Sequence, residues 1–283
     1  MTARDLTWPD LVWSHFSRPR FGGFDERVAA AAAAGFAGIG LYAPEYRRLR
    51  QEEGRSAADI RSQVDEHGLV VAEIESVRGW SAGAGGPSED CRAFEEVAYE
   101  MADELGCRYL QATGPYEGSV QEAADGFGAL CDRAAVHGLL VGIEFLPFTN
   151  IRTADEAREI VEVADRPNAG YCLDIWHHKR GANDESQLRS LPADRIFAVQ
   201  MNDGTLAPAI EDYKDDCMRT RVAPGDGAFD CVEFVRLLAD MGVRAPISLE
   251  VCSTEMWAAP AVESARRAAD GMRTVLAKAS SDG

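Results

Sequence analysis

The sequence predicts an α/β protein of the (β/α)8 class, a TIM barrel folded as a single domain over residues 1–283, with the barrel itself spanning about residues 11–278. Three observations carry that expectation. Short apolar runs alternate with amphipathic stretches rich in Ala, Glu and Arg, and eight such units can be counted. Most of the apolar runs are too short for helices and apolar on both faces, as buried parallel strands are. The length of 283 residues is close to the roughly 250 typical of such a barrel.

The strand candidates, in order, are Leu11–Ser17, Ala37–Ala43, Leu69–Val77, Tyr109–Gly114, Leu140–Pro147, Gly170–Trp176, Ile196–Asn202 and Ile247–Cys252. The helix candidates fill the gaps. Phe24–Ala34 runs into Gly35, Ser56–His67 into Gly68, Ser88–Leu105 into Gly106 and Ser119–His137 into Gly138. Thr153–Ala164 opens with Thr153 and Glu156, the spacing of a capping box. Asp184–Ser190 is short, Phe229–Met241 meets Gly242, and Pro260–Lys278 starts with proline in its first turn. Glycine after helices and Ser, Thr or Pro before them are the expected terminal signals. Strands alternating with helices pair in parallel through right-handed crossovers. An open doubly wound sheet is the alternative, but Gly22-Gly23 is no G-x-G-x-x-G fingerprint. The longest loops, Arg78–Pro87 and Asp203–Gly227, follow the third and seventh strands, at the face where barrels place their sites. The tail Ser280–Gly283 is expected to fray.

Composition narrows the function. The net charge is −18, from 29 basic and 47 acidic residues, which repels a nucleic-acid polyanion. Seven scattered cysteines without a CxxC suit reduced thiols in a cytoplasmic protein. No signal peptide and no membrane span is read from the chain.

The chemistry is expected where polar groups interrupt apolar strands. Glu144 in VGIEFLP, Asp174 in GYCLDIWHH, Gln200 in FAVQMND and Glu250 in ISLEVCS all stand near the ends of four consecutive strands. A buried ionised carboxylate must be paired or bound to a cation, and no arginines stand on the same strands. A divalent metal held by Glu144, Asp174, Gln200 and Glu250 resolves the repulsion. An all-oxygen set suits Mg2+ or Mn2+, with Co2+ as a further candidate, whereas zinc prefers nitrogen or sulfur. His177, three positions after Asp174, is a candidate for substrate contact or proton transfer. Arg221, ahead of PGDGAFD, is a second candidate for substrate contact, against a solvated loop arginine. His15, Glu75, Gln111, Asn150 and Trp176 fall at or just after strand ends and are candidate pocket residues. Trp80 and Trp257 wall the pocket or pack in the core.

With these residues in hand, the chain resembles the xylose-isomerase-like barrel superfamily, the sugar phosphate isomerase/epimerase group. That group includes ketose 3-epimerases, inosose dehydratases and 3-dehydroshikimate dehydratases. The carriers are Glu144 in GIEFLPF, Asp174 with His177 in LDIWHH, Gln200 with Asp203 in VQMNDG, Arg221 with PGDGAFD, and Glu250 in SLEV, spread over roughly Leu11 to Leu276. The resemblance implies that Glu144, Asp174, the seventh-strand residue and Glu250 bind the metal. It implies that Glu144 and Glu250 exchange the substrate proton and that His177 contacts substrate. Many epimerases carry histidine where this chain has Gln200, and glutamine there is similar to the 3-dehydroshikimate dehydratase branch. The expected activity is a divalent-metal-dependent isomerase or epimerase of a small polyhydroxylated ketone or sugar, acting by proton abstraction α to a metal-bound carbonyl. A dehydratase on a keto-polyol and a non-catalytic binding protein are the alternatives. An endonuclease of the related abasic-site group is disfavoured, since it uses several metal-binding histidines and this acidic chain has five in all. By analogy, barrels of this class often form homo-oligomers.

Overall fold

The structure, a computed structural model, describes residues 2–18, 23–83 and 86–281. Eight parallel strands close into a barrel in chain order: β1 Leu11–Trp13, β2 Gly38–Tyr42, β3 Val70–Val77, β4 Tyr109–Thr113, β5 Leu140–Glu144, β6 Ala169–Asp174, β7 Ile196–Met201 and β8 Ile247–Leu249. β1 pairs with both β2 and β8, which completes the ring. The helices are α1 Phe24–Ala33, α2 Ala43–Gln51, α3 Ala57–Glu66, α4 Glu89–Leu105, α5 Val120–Val136, α6 Ala154–Ala164, α7 Ile175–Arg180, α8 Glu185–Arg189, α9 Tyr213–Arg219, α10 Cys231–Met241, α11 Thr254–Ala258 and α12 Ala261–Ser281.

The period of two along each strand divides the molecule into layers. Leu11 and Trp13, Leu110 and Ala112, Tyr171 and Leu173, and Val199 pack outward in one large apolar core against the helices. The alternate residues face the barrel interior. At one end these are Val12, Val70 and Ala72, plugged by Leu6, together with Tyr109, Cys172 and Ala198. Two residues further along the same strands, in phase with Tyr109, Gly142, Cys172, Ala198 and Ser248, stand Gln111, Glu144, Asp174, Gln200 and Glu250. One phase of the pleat therefore delivers five polar side chains to the carboxyl end of the barrel. β3 adds Glu73 and Glu75, both buried. Gly40 on β2 makes room for them: a Cβ there would overlap Glu75 Oε1 and crowd Glu73 Oε1.

Several helix starts carry the hydrogen bonds their sequences announce. Ser56 with Asp59 and Ser119 with Glu122 form reciprocal capping boxes. Thr153 caps α6 through Glu156 N, but the Glu156 carboxylate turns back to Arg152 N instead of closing a box on Thr153. Four helices stand where loop or strand is expected: α2, α7, α9 and α11. The segment Gly170–Trp176 is strand only to Asp174, because Asp174 Oδ1 accepts from Trp176 N at 2.8 Å and starts α7. At the C-terminus α12 continues through Ser280 to Ser281; residues 282 and 283, the end of the tail expected to fray, lie outside the described residues. All seven cysteines are free and buried. No helix among the described residues is long and apolar enough to cross a membrane.

Candidate active site and metal centre

Glu144 and Asp174 end β5 and β6, and α7 places His177 one turn beyond Asp174, so its imidazole lies over both carboxylates. His177 Nε2 is 3.4 Å from Glu144 Oε1 and 3.5 Å from Asp174 Oδ2. One ligand atom from each of these three buried residues lies within 4.8 Å of the others, the spacing of a metal-holding group. Glu144 is oriented by Gln111, whose Nε2 donates to Oε2 at 2.7 Å. Asp174 is oriented by Trp176 N and by Asn202 Nδ2, both on Oδ1. His177 Nδ1 meets the hydroxyl of Tyr213 on α9 at 3.0 Å.

Glu250, the fourth member of the expected ligand set, is held differently. The missing arginine comes from a loop: Arg221 Nη1 donates to Asp174 Oδ2 and to Glu250 Oε2, both at 2.8 Å. It also reaches the Glu250 carbonyl at 3.1 Å, while Nε donates to the Cys217 carbonyl at 2.9 Å. Arg221 is 1% exposed, so it is neither a solvated loop residue nor free to reach outward. Its guanidinium is the cation between Asp174 and Glu250. Gln200 Nε2 lies 3.4 Å from Glu250 Oε1, and the Gln200 carbonyl oxygen is buried with no hydrogen-bond partner.

Three carboxylates against one guanidinium leave an excess of buried negative charge. Burial pushes the Glu144 carboxyl well above the usual carboxylate range, and the charges of Glu250 and Asp174 add to it. Burial likewise raises Glu250 to about 8, with Arg221 opposing the rise. The same burial holds His177 neutral, its value lowered to about 3. A divalent cation fits this arrangement. It would offset the excess charge, and the bare Gln200 oxygen and the unpartnered Gln111 Oε1 are buried acceptors in want of a donor or an ion.

Glu144, Gln111, His177, Arg221 and Glu250 line one cavity of about 80 Å³ with Ser76, Arg78, Thr113, Phe16 and Phe148 among others. The remaining candidates lie elsewhere. His15 is 4% exposed, stands between Phe16 and Tyr42, and does not line the cavity. Glu75 is fully buried, accepting from His15 N at 2.8 Å and Ser14 Oγ at 3.1 Å. Trp176 packs on Phe229 and lies under the guanidiniums of Arg180 and Arg221. Asn150 ties Tyr116 to the loop after β5 through two hydrogen bonds to its backbone. Trp80 is core, its Nε1 donating to the Thr113 carbonyl. Tyr213, Asn202, Ser76 and Arg78 are site residues that sequence reasoning did not single out; Ser76, Arg78 and Asn202 offered a signal in their positions at or just after strand ends, and Tyr213 offered none.

The sequence profile of the xylose isomerase-like TIM barrel matches residues 28–275. The chain belongs to that family. Among curated proteins similar to this chain, a 3-dehydroshikimate dehydratase of Pseudomonas aeruginosa is 30% identical over 270 residues, covering 90% of this chain and 40% of that protein. The chain thus spans about two fifths of the length of that relative. An inosose isomerase of Bacillus subtilis is 29% identical over 163 residues, 56% of each chain. Among solved structures, a xylose isomerase-like TIM barrel/4-hydroxyphenylpyruvate dioxygenase fusion protein superposes with a TM-score of 0.79 at 25% identity, covering 94% of this chain and 42% of that one.

Proposed function

We propose that this protein is a metal-dependent dehydratase that eliminates water from a cyclic polyhydroxylated ketone, in the manner of a 3-dehydroshikimate dehydratase. The observation that carries the reading is a division of labour among the buried acids. Glu144 and Asp174 cluster with His177 at ligand spacing, whereas Glu250 lies outside that cluster, shares Arg221 with Asp174 and has a proton affinity near neutrality. The 30% identity to a 3-dehydroshikimate dehydratase across 90% of the chain supports the lyase over the isomerase.

Glu144, Asp174 and His177 would hold the ion, with the bare oxygen of Gln200 as a further donor; Mg2+, Mn2+ or Co2+ bound there would supply Lewis-acid stabilisation of negative charge on a substrate oxygen. The rest of the work falls to the chain. The Glu250 carboxylate accepts the proton α to the carbonyl, and its value of about 8 makes it a stronger base than an ordinary carboxylate. Arg221 fixes Glu250 Oε2 and so aims the proton-accepting edge. The electron pair of the broken C–H bond becomes the new C=C bond, and the β C–O bond breaks with its own pair. Glu250 returns its proton to the departing hydroxide, which leaves as water, and no oxidant is required. Gln111 and Tyr213 hold Glu144 and His177 in place throughout.

A second reading, an isomerase that returns the proton to a neighbouring carbon, is favoured by the likeness to inosose isomerase. Purified protein supplied with Mn2+ separates the two. Appearance of a near-ultraviolet chromophore from 3-dehydroshikimate, lost in Glu250→Gln, supports the dehydratase. Deuterium incorporation into recovered inosose without a chromophore would replace it by the isomerase, and neither signal would leave a binding protein.

A further inference from the structure

We infer that Arg78 and Arg47 form a recognition subsite for a carboxylate carried by the substrate, in a side pocket that opens off the catalytic cavity. The inference rests on the proposed reaction only for which end of the substrate reacts.

Size comes first. The catalytic cavity holds about 80 Å³, whereas a dry cavity that admits benzene measures about 150 Å³. A six-membered ring therefore has to extend beyond it. A second cavity of about 250 Å³ adjoins it, and the two share Ser76 and Arg78 as a common wall. Tyr42, Pro44, Phe94 and Val97 give the second cavity an apolar lining suited to a ring, and Arg47 on α2 and Asp90 on α4 add charge at its sides.

Charge decides what the pocket recognises. Arg221 is consumed by Asp174 and Glu250. Arg78 and Arg47, by contrast, make no hydrogen bond or ion pair among the described residues. Arg78 nonetheless lines the catalytic cavity together with Glu144 and Glu250. Two unspent guanidiniums beside a carboxylate-rich cavity solve a definite problem: without them an anionic substrate would be repelled by Glu144, Asp174 and Glu250 as it entered. Guanidinium is planar and forked and grips a carboxylate through two parallel hydrogen bonds. Asp90 on the same lining sets the local balance at one net positive charge, which suits a monoanionic carboxylate and opposes a phosphate dianion.

The test is calorimetric titration of the Mn2+-loaded protein with three probes of one size: benzoate, benzyl alcohol and phenyl phosphate. Benzoate is expected to bind at least about tenfold more tightly than benzyl alcohol, the scale of charge-assisted hydrogen bonds. Arg78→Met should remove that preference while leaving benzyl alcohol unchanged, Arg78→Lys should restore part of it, and Arg47→Met should weaken benzoate by a smaller factor. Arg78 is exposed, so none of these changes burdens the fold. Equal affinity for benzoate and benzyl alcohol, no benzoate binding at millimolar concentration, or an Arg78→Met variant with unaltered preference would overturn the subsite. Tighter binding of phenyl phosphate than of benzoate would overturn the carboxylate. The readout does not need turnover. Benzoate preference without dehydration would refute the proposed reaction alone, and dehydration without the preference would refute the subsite alone.

Discussion

Replacing Arg221 by methionine keeps the apolar stem and deletes the guanidinium that bridges Asp174 and Glu250. The substitution removes hydrogen bonds of 2.8 Å to each carboxylate and of 2.9 Å to the Cys217 carbonyl, at a residue only 1% exposed. Breaking one side of a buried ion pair costs about 3–5 kcal/mol, because the partner charge stays buried without compensation. Against a total stability of about 5–15 kcal/mol this is a large share. At the roughly 2–4 °C per kcal/mol of a chain near this size, the midpoint of thermal unfolding should fall by about 10 °C. The assay is circular dichroism melting of chelator-treated protein across the pH range around the Glu250 value. Below about 8 Glu250 holds its proton in both proteins and contributes equally. As pH rises through about 8 the parent ionises Glu250 beside Arg221, while the variant must keep it protonated or bury a bare charge, so the deficit widens with pH. A deficit below about 2 °C, corresponding to no more than about 1 kcal/mol, or one that stays constant through that range, would refute the argument that Arg221 holds ionised carboxylates.

Three other outcomes are expected. Gly40→Ala should lower stability by about 1–3 kcal/mol, the usual cost of overpacking, since the added methyl meets the carboxylates of Glu75 and Glu73; an unchanged denaturation midpoint would contradict the close approach. Burial raises the Glu73 carboxyl from 4.5 to about 7, so the stability carried by its protonated form is complete below 4.5 and is lost as pH rises through about 7; the melting midpoint of Glu73→Gln should be flatter over that window than the parent's, and equal slopes would exclude Glu73 as the source. Elemental analysis after Mn2+ loading should find on the order of one ion per chain, strongly reduced in Glu144→Ala and in His177→Ala, and retention in His177→Ala with loss in Gln200→Ala would shift the ligand set to the all-oxygen one.

The barrel was readable because its strands are buried on both faces and flanked by glycine stops, so each apolar run stood out from the helix after it. The phase of the interior was readable for the same reason: Glu144, Asp174, Gln200 and Glu250 break otherwise apolar runs at matching depths. What escaped was local or long-range. α2 begins with Pro44 in its first turn, where proline is tolerated although it looks like a break. α7 reads as more strand until Asp174 is recognised as its cap, and that cap is what brings His177 over Glu144. Arg221 lies 47 residues from Asp174 and 29 from Glu250, and nothing in a single sequence links a loop arginine to those partners. His15 and Glu75 sit at strand ends yet hydrogen-bond to each other's segments behind the cavity, a distinction that depends on side-chain direction.

The connection after β7 is fastened mostly through main-chain atoms. Asp203 is buried and accepts from the amides of Gly204, Gly225 and Phe229, while its own backbone pairs with Val222. Asp216 similarly gathers the amides of Ala209 and Ile210. Between these two clasps the loop presents Tyr213 to His177 and Arg221 to the carboxylates. Because amides are common to every residue but proline, most side chains in this stretch are free to change without moving its path. The segment behaves as a cassette fixed at Asp203, Tyr213, Asp216 and Arg221 and at Gly204, Gly225 and Gly227, where a side chain would meet Trp176 or Asp203 or sit at positive φ, while the charge set of the cavity is inherited intact.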